Sequence, residues 1–265
     1  MLGWRSKKLG PRAPNGYRAY AVGDVHGRLD LLESLLELIE QDVARRPARR
    51  NLLVMLGDLI DRGPDSRGVV ERMRTYRHQA IKPYFLAGNH EEVLLRLLRG
   101  ERGILENWLR YGGAECLISY GGDPAQLDLD NEEEALLAVA RLIPPEHGRF
   151  LAGFADTLSF GDYLFVHAGI RPGVDLAMQS QTDLRWIRSP FLENESDHGV
   201  VVVHGHTINP TVEERRNRIG IDTGAYHTGV LTALALEGDS RWILDTSQFA
   251  GAGKASALIS GSLDG

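Results

Sequence analysis

The sequence predicts an α/β fold, and three observations predict it. Short apolar runs alternate with stretches that carry leucines at helical spacing, which implies parallel strands joined by right-handed crossovers. The runs "NLLVML" and "GVVVV" are apolar almost without interruption, as expected of strands covered on both faces. Five runs end in a polar cluster that contains glycine, and open α/β sheets bind ligands at the carboxyl ends of their strands.

The elements follow in chain order. "YRAYAV" is the first strand and runs into Gly23-Asp24-Val25-His26-Gly27. A helix follows in "LDLLESLLELIEQDVARR", where Leu32, Leu35, Leu36 and Ile39 share one face. "NLLVML" is the second strand and runs into Gly57-Asp58-Leu59-Ile60-Asp61-Arg62-Gly63, and a second helix is expected from about Asp65 to Tyr76. "KPYFLA" ends in Gly88-Asn89-His90-Glu91, with helix-like "EEVLLRLLR" beyond it. Residues from about 100 to 155 read as helical, and Asn131 with Glu134 resembles a capping box. "DTLSF" and "DYLFVH" flank Gly161-Asp162 as a hairpin, and the second ends in His167-Ala168-Gly169. "GVVVV" ends in His204-Gly205-His206-Thr207, and "RIGIDTGAYHTGVLTALALEG" and "RWILDT" read as further short strands.

Composition narrows the function classes. The chain has 265 residues, 43% hydrophobic and 25% charged, which suits one domain over 1–265 with a sizeable core. Residues 1–16 are basic but lack the apolar stretch of a secretory signal and read as a loose arm. Residues 247–265, rich in Gly, Ser and Ala, read as a mobile tail. No run approaches a membrane span. A net charge of -6 argues against a general grip on nucleic acid and leaves room for a local phosphate pocket. Cys116 is the one cysteine, so no intrachain disulfide forms; a cytoplasmic protein is expected.

Pooled, the clusters offer Asp24, His26, Asp58, Asn89, His167 and His206, all oxygen or imidazole donors. Such donors suit manganese, iron or zinc. Six exceed the need of one catalytic ion with an open position and suit two ions sharing a carboxylate. Two such ions acidify a bridging water and clamp an in-line displacement at phosphorus. Phosphate oxygens also need cationic forks. Arg62, close to Asp58, is one candidate; Arg188, in "LRWIRSP", is a second, with Arg185 behind it.

"GDVHG", "GDLIDRG", "GNHE", "HAG" and "GHT", in this order, resemble the phosphoprotein phosphatase (PPP) family of binuclear metallophosphatases, in its compact bacterial and phage (lambda phosphatase-like) type. "ENWLRYGG", "LRWIR" and "IDTGAYHTGVLT" resemble further segments of that type, and the likeness spans about residues 18 to 246. The resemblance implies a four-layer α/β/β/α sandwich with two mixed sheets and two divalent ions, manganese first and iron or zinc as alternatives. It assigns one ion to Asp24, His26 and Asp58, and the other to Asp58, Asn89, His167 and His206. It makes His90, oriented by Asp61, the proton donor to the leaving oxygen, and Arg62 with Arg188 the phosphate-binding pair. His204 matches no family ligand and is expected to be either packed or on the surface, without a role in the site. Tyr226 and His227 fall near the expected mouth and are assigned no role.

The implied activity is hydrolysis of phosphate monoesters, foremost phosphoserine or phosphothreonine in proteins. The alternative is a symmetrical bis(5′-nucleosyl)-tetraphosphatase; that branch tends to lack the acid at Asp61 and to carry Asp where Glu91 stands. A non-catalytic binding module is disfavoured because every ligand and His90 are present. A nucleic-acid phosphodiesterase is disfavoured by the acidic balance. The expected partners are therefore a phosphorylated protein or a small phosphoester, with neither nucleic acid nor membrane.

Overall fold

The computed structural model describes residues 10–46 and 49–247. These form ten strands: β1 (Tyr17–Val22), β2 (Arg50–Met55), β3 (Ile81–Phe85), β4 (Thr157–Phe160), β5 (Tyr163–Val166), β6 (Val201–His204), β7 (Glu213–Glu214), β8 (Arg218–Gly220), β9 (Thr232–Glu237) and β10 (Ser240–Asp245). They lie in two sheets, ordered β10-β9-β1-β2-β3 and β4-β5-β6-β8-β7. Strands β1, β2 and β3 are parallel, as are β5, β6 and β8. Antiparallel pairs at β9, β10, β4 and β7 make both sheets mixed.

Side chains alternate across each strand, and this alternation builds the layers. Ala19, Ala21, Leu52, Val54, Leu234 and Leu236 face the second sheet and meet Phe165, Val201, Val203 and Ile219. Tyr20, Val22, Leu53 and Met55 point the other way, into the layer of α1 (Leu29–Arg45), α2 (Ser66–Thr75) and α3 (Asn89–Leu98). There they meet Leu32, Leu35, Leu36, Ile39, Val69, Met73 and Leu94. On the far side Leu164, Val166 and Val202 pack beneath the short helices Gln181–Trp186 and Ser189–Leu192, through Leu184, Ile187 and Phe191. The result is the expected helix–sheet–sheet–helix sandwich.

Local signals hold with small adjustments. Helix α2 starts where Asp65 Oδ1 accepts the N–H of Gly68 at 2.7 Å. The helix Glu132–Leu142 is capped by Asn131, whose Oδ1 accepts from Glu134 N at 3.4 Å. Its Nδ2 also donates to Glu134 Oε2 at 3.1 Å, so that pair closes side chain to side chain rather than onto the Asn131 backbone. The expected loose arm, 1–16, falls partly outside the described residues; its described part is tied down. Arg12 N donates to Asp162 Oδ2 at 2.8 Å and Ala13 N to Gly238 O at 2.7 Å, which ties it to a turn of each sheet. The expected mobile tail lies outside the described residues except for Ser247. No helix among the described residues is long and apolar enough to cross a membrane.

Candidate metal centre

The loops leaving β1, β2, β3, β5 and β6 converge at one edge of the sandwich and lock together. Val25 N and His26 N both donate to Asp58 O, and Gly205 N donates to His167 O. The turns are sharp. His26, Asp58, Asp61, Arg62 and His206 have φ of 45°, 49°, 70°, 65° and 62°, and no other non-glycine residue among those described has a positive φ. All five were singled out from the sequence as site residues. Such strain persists where the surroundings over-determine it, as at functional sites. Two glycines permit close approach. A Cβ at Gly88 would lie 2.1 Å from Asp58 Oδ1, and one at Gly205 would lie 2.1 Å from Asp24 Oδ1.

Asp58 is the hub. Its Oδ2 lies 3.6 Å from His26 Nε2, 3.4 Å from His167 Nε2 and 3.9 Å from His90 Nε2. The ligand atoms of His26, Asp58 and His90 lie within 4.8 Å of one another, and those of Asp58, His167 and His206 do the same. Asn89 Oδ1 is 3.0 Å from His167 Nε2, and the Asp24 carboxylate accepts the N–H of His206 at 3.0 Å. Asp24, His26, Asp58, Asn89, His167 and His206 are all buried.

The donor set fits divalent ions. His26 Nδ1 lies 2.8 Å from Ile60 O and His167 Nδ1 lies 2.8 Å from Leu56 O. A ring nitrogen facing a carbonyl must donate, which leaves the Nε2 lone pair for the cluster. At His167, Nε2 faces Asp58 Oδ2 and Asn89 Oδ1, and Asp58 raises the ring's pKa against its burial; a proton at Nε2 satisfies these acceptors, and a divalent ion would take its place on the neutral ring. Burial above all, then the carboxylates of Asp222 and Asp58, pushes Asp24 well above its ordinary pKa. Burial lowers His206 to about 3 and His26 well below its usual range. Asp58 would be raised by burial, but His167 and His90 hold it well below.

One guanidinium stands at each end. Arg62 donates from Nη1 to His26 Nε2 at 2.9 Å and lies 3.1 Å from His90 Nε2 through Nη2. Arg188 Nε donates to His206 Nε2 at 3.2 Å. Arg185 is bound instead by Asp156 and Glu92. His90 Nδ1 lies 2.6 Å from Asp61 Oδ2. Burial alone would lower His90; Asp58 and Asp61 outweigh it and raise its pKa.

Four residues of the centre had no role assigned from sequence. Glu91 spreads its carboxylate over three backbone N–H groups, those of Asp58, Leu59 and Gly88, at 2.7–2.9 Å. Trp108 Nε1 donates to Asp61 at 3.1 Å. Asp222 is buried beside Asp24, and its Oδ2 has no hydrogen-bond partner among the described residues. Tyr226 stands edge-on to the His26 ring at 5.5 Å. Glu91, Trp108, Asp222 and Tyr226 lie within the quoted segments "GNHE", "ENWLRYGG" and "IDTGAYHTGVLT", but only the fold shows what they touch. His204 is buried edge-on to Phe191 at 5.1 Å and is lowered to about 4 by burial, a packed residue, the first of the two expected placements. His227 is exposed.

Two overlapping groups of donors able to hold metal ions, on a two-sheet sandwich, point to a class, the metallophosphoesterases. Residues 17–230 match the calcineurin-like phosphoesterase family, and the chain belongs to that family and is a hydrolase. It is 29% identical over 236 residues to the asymmetrical bis(5′-nucleosyl)-tetraphosphatase PrpE of Oceanobacillus iheyensis, covering 80% of this chain and 86% of that protein. It is 36% identical over 101 residues to serine/threonine-protein phosphatase 1 of Salmonella typhimurium, covering 38% of this chain and 41% of that one. It is 42% identical over 81 residues to a symmetrical bis(5′-nucleosyl)-tetraphosphatase of Legionella pneumophila, covering 31% of this chain and 26% of that one. The last two matches span less than half of the relatives' own length.

Proposed function

We propose that this protein hydrolyses a small phosphoanhydride or phosphoester on two divalent ions, with dinucleoside tetraphosphates as the first substrate class. One ion takes Asp24, His26 and Asp58, the other takes Asp58, Asn89, His167 and His206, and manganese is the first metal to test. The observation that carries the reading is that Asp58 belongs to two groups of close donor atoms, His26–Asp58–His90 and Asp58–His167–His206, with Asp61 bonded to His90. The dinucleotide class stands ahead of the phosphoprotein class expected from sequence, because the similarity that spans 80% of the chain is to a tetraphosphatase. The phosphoprotein reading, and with it the lambda phosphatase-like type, is supported by the intact Asp61–His90 pair.

The ions, when bound, supply an acidified water and neutralise charge on the transferring phosphoryl group. The chain's own residues do the rest. Arg62 and Arg188 each hold the Nε2 of a histidine in one ligand group. A metal ion held at that Nε2 would take the histidine's lone pair and leave the guanidinium to phosphate oxygens. His90, held at Nδ1 by Asp61, gives the proton at Nε2 to the departing oxygen. Trp108 fixes Asp61 in turn.

The test is activity of the metal-stripped protein restored with manganese, iron or zinc. Diadenosine tetraphosphate and a phosphoserine peptide are compared, and products are resolved as ADP, as ATP plus AMP, or as orthophosphate. Preferred release of orthophosphate from the peptide would reverse the order of the two readings. No turnover of either substrate with any ion would refute both.

A further inference from the structure

A cleft of about 760 Å³ opens beside the metal centre, lined by Arg28, Asp30, Glu33, Arg62, Pro64 and Tyr226. We propose that it receives the nucleoside of a nucleotide leaving group and that Tyr226 selects for that nucleoside; this rests on the hydrolase reading above. Arg62 connects the two places, because the guanidinium that lines the cleft also reaches His26 Nε2 and His90 Nε2. A group departing past His90 therefore passes Arg62 into the cleft.

The chemistry changes along that path. At the inner end Arg62 suits a phosphate. The half-buried Tyr226 ring is held from two sides, edge-on to His26 at 5.5 Å and against the Arg62 guanidinium at 5.0 Å. It offers a fixed aromatic surface at low entropic cost to a base. Asp30, Glu33 and Asp65 also line the cleft. Each is already engaged: Asp30 by Arg28, Glu33 by Arg72, and Asp65 by the N–H of Gly68. These carboxylates repel further phosphates but accept hydroxyl and amino hydrogens. An anion followed by a neutral, hydroxyl-bearing, aromatic unit matches this order, and a nucleotide is such a molecule.

Calorimetry on the metal-loaded protein tests this with two probes that share one anion, methylenediphosphonate and its adenosine ester (the methylene analogue of ADP). The ratio of their dissociation constants isolates the nucleoside. The adenosine ester should bind roughly tenfold tighter or more, from base–aromatic stacking. Tyr226→Phe should keep the ratio. Tyr226→Leu, which keeps apolar bulk against His26, and Tyr226→Ala should bring it towards one. A ratio near one in the parent, or a ratio that persists in both Leu and Ala variants, would overturn the proposal. Tight binding of a phosphoserine peptide that depends on Tyr226, without a nucleoside preference, would overturn it in favour of a peptide groove. If the parent cleaves diadenosine tetraphosphate yet shows no ratio, the cleft assignment fails alone. A parent that shows the ratio but cleaves no nucleotide would instead remove the function reading.

Discussion

Replacing Asp61 by Asn isolates one interaction of the proposed acid. Asp61 Oδ2 lies 2.6 Å from His90 Nδ1, and both groups are buried. Asn keeps the shape and removes the charge. Trp108 Nε1 would still donate to the amide oxygen, which turns the NH₂ towards His90 Nδ1 and disfavours a proton there. A hydrogen bond to a charged group contributes about 1.5–3 kcal/mol, and about 1.4 kcal/mol corresponds to one pKa unit. The His90 pKa should therefore fall by roughly one to two units. The sign follows from the role. A proton donor must be protonated, so kcat/KM declines as pH rises through the His90 pKa. Since Asp58 and Asp61 raise that pKa, losing Asp61 moves the declining limb to lower pH by the same one to two units, roughly. The assay is kcat/KM against pH at saturating metal, with metal content measured on each variant. The loss should be largest on phosphoserine, whose alkoxide needs a proton, and smallest on p-nitrophenyl phosphate, whose phenolate does not. An unmoved limb at full metal occupancy, or equal losses on both substrates, would refute the role.

Other outcomes follow from the same geometry. Asp58→Asn should lose both ions and nearly all turnover, whereas His26→Asn should lose one; elemental analysis distinguishes them. Arg62→Ala and Arg188→Ala should each weaken inhibition by inorganic phosphate by roughly ten- to a hundredfold, and Lys at either position should restore only part, because it lacks the fork. Gly88→Ala should clash with Asp58 Oδ1, from which its Cβ would lie 2.1 Å. It should cost about 1–3 kcal/mol, read as a Tm lower by roughly 2–12 °C, with weakened metal uptake.

The fold and the convergence of the polar clusters were legible because both rest on local signals. Asp24, Asp58, Asn89 and His206 each directly follow a glycine at the end of an apolar run, and His167 directly ends one. Supporting residues were not legible for a physical reason. Glu91 is read as a helix-start residue until the fold brings it under the turn at Asp58, 33 residues earlier in the chain. Trp108 donates to Asp61 across 47 residues, and Asp222 reaches Asp24 only because the chain leaving β8 passes against Gly23. The arm fell short for a similar reason: the acceptors for Arg12 and Ala13 are at Asp162 and Gly238, on distant turns. The walls of the cleft beside the centre come from three separate stretches, residues 27–33, residues 62–65 and Tyr226, which no local pattern links.

The strain at the centre explains why ligands and scaffold cannot be separated. Positive φ at a residue with a side chain costs on the order of 1–3 kcal/mol, so His26, Asp58, Asp61, Arg62 and His206 together store an amount comparable with the about 5–15 kcal/mol by which a domain is stable. Every one of these five has its backbone N–H satisfied. His26 N donates to Asp58 O and Arg62 N to Gly112 O, each at 2.9 Å. Asp58 N donates to Glu91, Asp61 N to Ser66 Oγ, and His206 N to Asp24. The acceptor for His206 is thus the side chain of a proposed ligand of the other ion, and the acceptor for His26 is the backbone of the proposed bridge. The shared Asp58 thus holds the strained backbone of His26, and Asp24 holds that of His206 across the two proposed groups. A substitution at Asp24 removes the acceptor for a strained turn on the opposite sheet as well as a carboxylate.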